Sequence, residues 1–468
     1  MERYYLAIDI GASSGRHMLG HIENGKMILE EIWRFENGMK DREGSLCWDL
    51  DALFEEIKTG MKRCKELGKI PVSMGIDTWA VDYVLLDEKD QVLGKTYGYR
   101  DGRTQGVDED VYKIISEEEL YSRTGIQKQS FNTIYQLMAV KKNNPEHLKA
   151  AKNFLMLPDY FHFLLTGQKC SEYTNATSTQ LINAQTNDWD RELIERLGYP
   201  QEMFLPLSQP GTLVGSFTKE IEEEVGFSCE VVLPATHDTG SAVMAVPGEG
   251  DKNLYISSGT WSLMGIENKT AICTEESRKR NFTNEGGYEY RYRYLKNIMG
   301  LWMIQSVRKE LENKYSFAEL CAMASRRSDF PSRVDVNDPV FLAPDSMIRA
   351  IREMCAKTGQ PVPETPDELA AVVYESLSDS YRETAEEIEG LTGSHYNTIC
   401  IVGGGSNAEY LNRLTAKKSG RRVLAGPGEA TAIGNLMAQM IQKGEFDTLE
   451  QARRCVGTSF SIHEYMPE

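Results

Sequence analysis

The 468-residue chain reads as an α/β protein made of two similar domains. Three observations predict this. The length exceeds what one hydrophobic core supports. Strand-like and helix-like stretches alternate in both halves. Two stretches of the first half also recur, in the same order, in the second: YLAIDIGASSGRHML (residues 5–19) resembles NLYISSGTWSLMGIE (253–267), and VLPATHDTGSA (232–242) resembles VLAGPGEATAI (423–433). Gly11 aligns with Gly259, Ala12 with Thr260, Ser14 with Ser262 and Asp238 with Glu429. The domain junction therefore falls near 245, dividing the chain into 1–245 and 246–468.

In order, YYLAIDIG, RHMLGHIE and KMILEEIWRF read as three strands, the last two joined by the hairpin pair Asn24-Gly25. DLDALFEEIKTGMKRCKEL reads as a helix, and VSMGIDTWAVDYVLLDEKDQVLG as strand, polar turn region, strand. From about 105 to 220 the pattern is helical and irregular, with TQLINAQTNDWD as a loop. The clearest helix spans 366–392: Thr365-Pro366-Asp367-Glu368 supplies a cap, a proline at the first position and a capping-box glutamate, and Gly393 ends it. TICIV is then a strand, GGGSN a turn, and AEYLNRLTAKKSG a helix.

Composition excludes some functions. Net charge is 52 − 70 = −18, unsuited to binding nucleic acid or an anionic membrane through bulk charge. No apolar run is long enough to span a bilayer, and MERYYLAIDIG lacks the features of a signal peptide, so a cytoplasmic protein is expected. Nine cysteines without a C-x-x-C pair read as reduced thiols, and the His, Cys and carboxylate spacings form no zinc pattern.

Five stretches carry candidate chemistry. In DIGASSGR, the turn amides and the hydroxyls of Ser13 and Ser14 can donate to phosphate oxygens, Gly11 and Gly15 permit close approach, and Arg16 adds positive charge. Asp9 beside phosphate makes sense if it holds magnesium through water. SSGTWS (257–262) repeats the device around Thr260. IVGGGSNA fits G-x-G-x-x-A at Gly403, Gly405 and Ala408, but the next strand, RRVLAG, ends without the acid of a dinucleotide site, which favours a base or ribose lying on the glycines. In GIDTWAVDY, Asp77, Trp79 and Asp82 suit a sugar: carboxylate to hydroxyl, indole to ring face. In THDTG, His237 and Asp238 stand at a helix start, where the anion is stabilised and an ionised Asp238 can accept a hydroxyl proton. Each stretch also has a plain structural reading: hairpin turns, a close strand-to-helix turn, a core tryptophan and a helix cap.

Taken together, DIGASSGR, GIDTWAVDYVLLD, LMLPDYFHFLLTG, EYTNATSTQL, THDTGSAV, SSGTWSLMG, NEGG, LKNIMGLW and IVGGG resemble the FGGY family of carbohydrate kinases over nearly the whole chain. The resemblance implies two actin-like, ribonuclease-H-like ATPase domains with a central cleft. It implies ATP-dependent phosphorylation of L-rhamnulose at its 1-hydroxyl, with Mg2+ as the metal. The domain 1–245 then carries the sugar site and the first phosphate loop, and 246–468 carries the second phosphate loop and the adenosine site. Ala12, Ser13, Ser14, Gly15 and Arg16 match the first phosphate loop. Thr260 matches the second, Gln305 a further nucleotide contact, and Gly403, Gly404 and Gly405 the adenosine site. Ala80, His237, Asp238 and Asn297 match sugar-contacting positions alongside Asp77 and Trp79, and Asp238 matches the catalytic base. Ala80 departs from the glycine often found there, and its methyl group tightens the expected pocket. The alternatives are a kinase for fuculose, xylulose or glycerol, and a non-catalytic actin-like ATP-binding protein. Partners are expected to be a small ketose and ATP, with the chain a monomer or small homo-oligomer.

Overall fold

The chain enters its first sheet at β1 (Tyr4–Ile10), and β2 (Ser14–Glu23) and β3 (Lys26–Glu36) follow as an antiparallel meander. Asn24 and Gly25 between β2 and β3 have φ of 49° and 77°, the left-handed pair that a two-residue hairpin turn of matching twist requires. These details come from a computed structural model that describes residues 2–248 and 253–467. Helix α1 (Leu50–Glu66) starts at Asp49, whose side chain accepts from the Ala52 amide. It leads to β4 (Pro71–Thr78), parallel to β1, with Asp9 opposite Asp77. After α2 (Leu157–Thr166) come β5 (Leu213–Ser216), β6 (Glu230–Val232) and α3 (Asp238–Met244). The sheet order is β5-β6-β4-β1-β2-β3.

The second sheet repeats this plan. Its strands are β7 (Asn253–Ser258), β8 (Trp261–Asn268), β9 (Thr283–Glu285) and β10 (Tyr292–Met299). After α4 (Trp302–Glu310) and α5 (Pro366–Thr392) come β11 (Thr398–Val402), α6 (Glu409–Ser419), β12 (Arg422–Ala425), α7 (Ala430–Gln442), α8 (Leu449–Ser459) and β13 (His463–Tyr465). The order is β9-β10-β8-β7-β11-β12-β13. In both sheets a central strand pairs antiparallel with the strand that follows it and parallel with a later one (β1 with β2 and β4; β7 with β8 and β11). A second parallel strand and an antiparallel edge strand then extend the sheet (β6 and β5; β12 and β13). Each connecting turn is closed by its glycine amide, though not identically: Gly11 donates to Ser14 O three residues on (2.9 Å), and Gly259 to Trp261 O two residues on (2.8 Å). The repeat seen in the sequence is therefore a repeat of topology, the ribonuclease-H-like arrangement of the expectation.

Packing divides the chain into two units, but not at one point. The first holds Met1–Ala245, Glu267–Tyr294 and Thr431–Ser459; the second holds Val246–Ile266, Leu295–Ala430 and Phe460–Glu468. These packing units differ from the expected division into 1–245 and 246–468 in two segments, Glu267–Tyr294 and Thr431–Ser459, which pack with the first unit. The reason is visible in α7. Gln439 donates to Leu6 O over 2.9 Å and accepts from Ser73 Oγ over 2.8 Å. A Cβ on Gly434 would lie 1.8 Å from Ser241 O, so α7 approaches α3 backbone to backbone.

Within the first unit, the apolar faces of β1, β4, α1 and α2 form one core, including Leu6, Ile8, Ile57, Met74, Ile76 and Phe161. The irregular region has its own core, built on Tyr135, Phe154, Trp189 and Phe204. Inside it, TQLINAQTNDWD is not a plain loop: Ile182–Asn183 and Asp188–Trp189 pair as a short hairpin. Helix α5 has the predicted limits, with Gly393 at φ 65° as its end. Among the described residues no helix is long and apolar enough to cross a membrane.

Candidate active site

Three neighbouring strand ends of the first unit assemble the carboxylates. Asp9, one residue before the end of β1, lies beside Asp77 of β4, and the Thr78 amide donates to Thr236 O over 2.9 Å, placing His237 and Asp238 next in line. Asp238 opens α3 and His237 precedes it without a side-chain cap bond, so the plain cap reading does not apply to the imidazole. Asp238 Oδ1 accepts from the Thr239 amide and from Thr239 Oγ1 (3.0 Å). Its side chain remains 33 % exposed, unlike Asp77, which is fully buried. Desolvation, reinforced by Asp9, pushes the Asp238 acid up to about 6. Asp238 is therefore more basic than an ordinary aspartate while still ionised at neutral pH, at the start of the seven-residue α3. Burial and Asp9 also drive Asp77 well above the usual range, opposed by Asn435 of α7, which donates to Asp77 Oδ2 over 2.6 Å.

The first turn is supported from a residue that sequence reasoning missed. Asn37 donates its side-chain amide to Gly11 O (2.8 Å) and its backbone amide to Ser13 O (3.0 Å). Ser13 is exposed, and Ala12 and Ser14 are half-buried. Gly15 is buried against Phe35, whose Cζ would lie 2.1 Å from an added Cβ, so packing rather than ligand approach requires glycine here. Arg16 donates through Nε (3.0 Å) and Nη2 (2.9 Å) to Asp9 Oδ2. The charge expected to meet phosphate and the carboxylate expected to serve a metal thus neutralise each other in this structure.

Trp79 is corrected most clearly. It is 7 % exposed and packs on Trp48 with ring centroids 4.0 Å apart. Both indole N–H groups donate to Asp82 Oδ2, over 2.9 Å from Trp79 and 2.6 Å from Trp48. Its ring packs against Trp48 within the core rather than standing exposed, and Asp82 is bound to these indoles, to the Tyr99 amide and to Gln136. Next to it, half-exposed Ala80 accepts the Asp82 amide over 2.9 Å in a three-residue turn centred on Val81, at φ 67°. Such a turn is strained for a β-branched residue. Ser178 Oγ on the Val81 amide, with Thr133 and Gln136 on its carbonyl, holds it in place.

Two further groups were missed. Glu172 is fully buried and accepts from the amides of Thr174, Asn175 and Thr236 and from the hydroxyls of Thr174 and Thr236, at 2.6–3.1 Å. It ties EYTNATSTQL to the residue before His237. Arg293, also fully buried, meets His237 Nδ1 over 3.0 Å and Glu285 over 3.0 Å. NEGG contains Glu285, and its oddity, a carboxylate between small and polar neighbours, was the available signal.

In the second unit, Thr260 is exposed at the second turn, where its carbonyl accepts the Trp302 amide over 3.0 Å. Gln305 lies half-buried on α4 and Asn297 half-buried on β10. Gly403 has φ 82°, and an added Cβ would lie 2.8 Å from Ser258 O; on Gly405 it would lie 1.9 Å from Ser258 Oγ. Those two glycines answer to strand packing. Gly404 is exposed with open space where its Cβ would be. Among the described residues, no group of three or more His, Cys, Asp or Glu side chains is arranged to hold a metal.

Two sugar-kinase domain families match the chain: the N-terminal domain of the FGGY family of carbohydrate kinases at residues 4–245 and its C-terminal domain at 254–442. The protein belongs to the FGGY family of carbohydrate kinases. Its relatives include the rhamnulokinase of Halalkalibacterium halodurans, 54% identical over 99% of this chain and 98% of that protein. They also include the rhamnulokinases of Oceanobacillus iheyensis (50%, 99% and 98%) and Bacillus subtilis (43%, 99% and 95%). Among solved structures, gluconate kinase from Lactobacillus acidophilus shares the fold at TM-score 0.79 and 16% identity, covering 100% of this chain and 94% of its own. Plasmodium falciparum glycerol kinase with ADP does so at TM-score 0.77 and 12% identity, covering 100% and 95%.

Proposed function

We propose that this protein transfers the γ-phosphoryl group of ATP to the 1-hydroxyl of L-rhamnulose, with Asp238 as the base. The relatives called rhamnulokinase, similar over almost the whole chain, support the substrate. The observation that carries the base is Asp238 itself. It is the partly exposed member of the carboxylate row, and with its acid at about 6 it is ionised at neutral pH yet more basic than an ordinary aspartate. It accepts the proton of the 1-hydroxyl as that oxygen attacks the γ-phosphorus, and orients the nucleophile. His237 and Ala80 are assigned to the sugar, Ala12–Arg16 to the phosphates, and Thr260, Gln305 and Gly404 to the nucleotide. Asn297 is retained as a sugar contact; Trp79 and Asp77 act from beneath as supports.

Magnesium fits only in a restricted way. Arg16 occupies Asp9 Oδ2 and no protein cage is present among the described residues, so Asp9 suits a water-mediated contact to a metal carried by the phosphates. Bound there, the ion neutralises phosphate charge. The test is ADP release with ATP and a panel of L-rhamnulose, L-fuculose, xylulose and glycerol, with and without chelator. Rhamnulose-dependent release that chelator abolishes is expected. Release with another sugar only, or undiminished in chelator, overturns the assignment.

A further inference from the structure

We propose that Arg293 is a positioning residue that fixes the tautomer of His237, so that this imidazole is a permanent donor at Nε2 and never a proton acceptor in the reaction. The inference rests on the sugar-site reading above and deepens it.

The geometry is confined to the first unit. Arg293, on β10, has no exposed surface. Its Nε donates to Gly286 O over 3.0 Å, its Nη1 faces Glu285 Oε2 at 3.0 Å, and its Nη2 lies 3.0 Å from His237 Nδ1. A guanidinium has donors only. At 3.0 Å, Nδ1 must therefore accept, and the single proton of a neutral ring stands on Nε2. Glu285 Oε2 lies 3.4 Å from Nδ1 but cannot claim a proton there without displacing the closer Arg293 contact. Nε2 faces Asp238 Oδ1 at 3.5 Å.

The charged groups around His237 are Asp238 from α3, Glu285 from β9 and Arg293 from β10. Glu285 offsets the buried guanidinium, which would otherwise be an uncompensated charge. A second cation on the ring would stand against that guanidinium in a dry site. Desolvation first, and Arg293 second, accordingly hold His237 well below the usual histidine range. The ring then presents Nε2–H to a substrate oxygen or to the Asp238 carboxylate at any working pH. Base chemistry is left to Asp238, and a ligand must offer an acceptor to His237.

The test uses full-length protein labelled with 15N-histidine. Two-bond proton–nitrogen spectra report which ring nitrogen carries hydrogen, and the His237 signals are assigned by their loss in His237→Gln. In the wild type, His237 is expected to show a protonated Nε2 and a bare Nδ1, unchanged between about pH 5.5 and 8.5. A protonated Nδ1, or a midpoint near the ordinary value of about 6.5, overturns the proposal. This measurement needs no known substrate, and the only variant it uses serves to assign the signals.

Arg293→Met combined with Glu285→Gln, which leaves no lone buried charge, should let His237 titrate. It should lower kcat on rhamnulose by about 10²-fold, with KM for ATP within about twofold. Arg293→Lys, which keeps a donor, should restore part of kcat. Wild-type kcat in the double variant overturns the role of the tautomer in turnover. Failure of the wild type to phosphorylate any ketose would instead sink the functional reading and leave the spectroscopic result standing.

Discussion

Asn435 Nδ2 lies 2.6 Å from Asp77 Oδ2, and the two residues are 358 positions apart. The same amide group donates to Gly75 O over 3.1 Å, and Asn435 Oδ1 accepts from Gln439 over 2.8 Å. A buried carboxyl that loses its donor bears the full desolvation cost. Asn435→Ala should therefore lower stability by about 1–3 kcal/mol in urea denaturation. Asn435→Asp, which sets a second acid against Asp77, should lower it further. Equal stability of the three proteins would show that Asp77 does not depend on this contact.

Asp238 gives a prediction with a sign. Its acid is raised to about 6 in the folded protein, against about 3.8 when free. The folded state therefore binds more protons than the unfolded state between these values, and stability declines as pH rises through the window. Asp238→Asn removes that term. Its melting temperature should exceed that of the wild type at about pH 7.5 and converge with it near pH 4. Turnover of the ketose should fall by about 10²–10⁴-fold while ATP binding stays normal. For the wild type, kcat/KM should rise with pH through about 6 with unit slope. A flat profile there would remove Asp238 from the role of base.

Trp79 should behave as a core residue. Trp79→Phe loses an indole N–H bond to Asp82 and part of the stack on Trp48. We expect a stability loss of about 1–3 kcal/mol, with KM for ketose and for ATP changing together by less than about threefold. A large rise confined to the ketose KM would restore the sugar-stacking role expected from sequence.

The contrast at Trp79 shows what was legible. GIDTWAVDY displays an acid and an indole side by side, and nothing local reveals that Trp48, 31 positions earlier, covers the ring. The hairpins, the two similar sheets and α5 were legible because their signals are local: Asn24-Gly25, repeated small-residue turns, a capping box and Gly393. Arg293 was illegible for the opposite reason. In YEYRYRYLKN it reads as one more polar strand residue, and its role arises only where β10 passes His237. Asp9 and Arg16 were each read correctly as charged groups beside a turn, but their register as opposite partners on β1 and β2 pairs them.

The glycine turn after β11 separates packing from binding. Gly405→Ala sets a Cβ 1.9 Å from Ser258 Oγ and should destabilise the fold by about 1–3 kcal/mol through overpacking. Gly404→Ala meets open space and should fold normally. If Gly404 lies under the nucleotide, that variant should raise KM for ATP several-fold and leave KM for the ketose unchanged. Unchanged KM for ATP would withdraw Gly404 from the nucleotide site.

The return of Thr431–Ser459 to the first unit has a consequence for biosynthesis. A ribosome releases the chain from its first residue onward, so β1, β4 and α3 emerge long before α7. Until then Leu6 O, Ser73 and Asp77 lack the partners that Gln439 and Asn435 supply, and the backbone seat for Gly434 against Ser241 stands empty. The nascent first half therefore waits, incomplete, for the end of translation. A fragment cut at the apparent boundary near 245 is the same unfinished molecule, and a stop codon before 431 deprives the candidate site of support although every residue proposed to meet the sugar or phosphate has already been made.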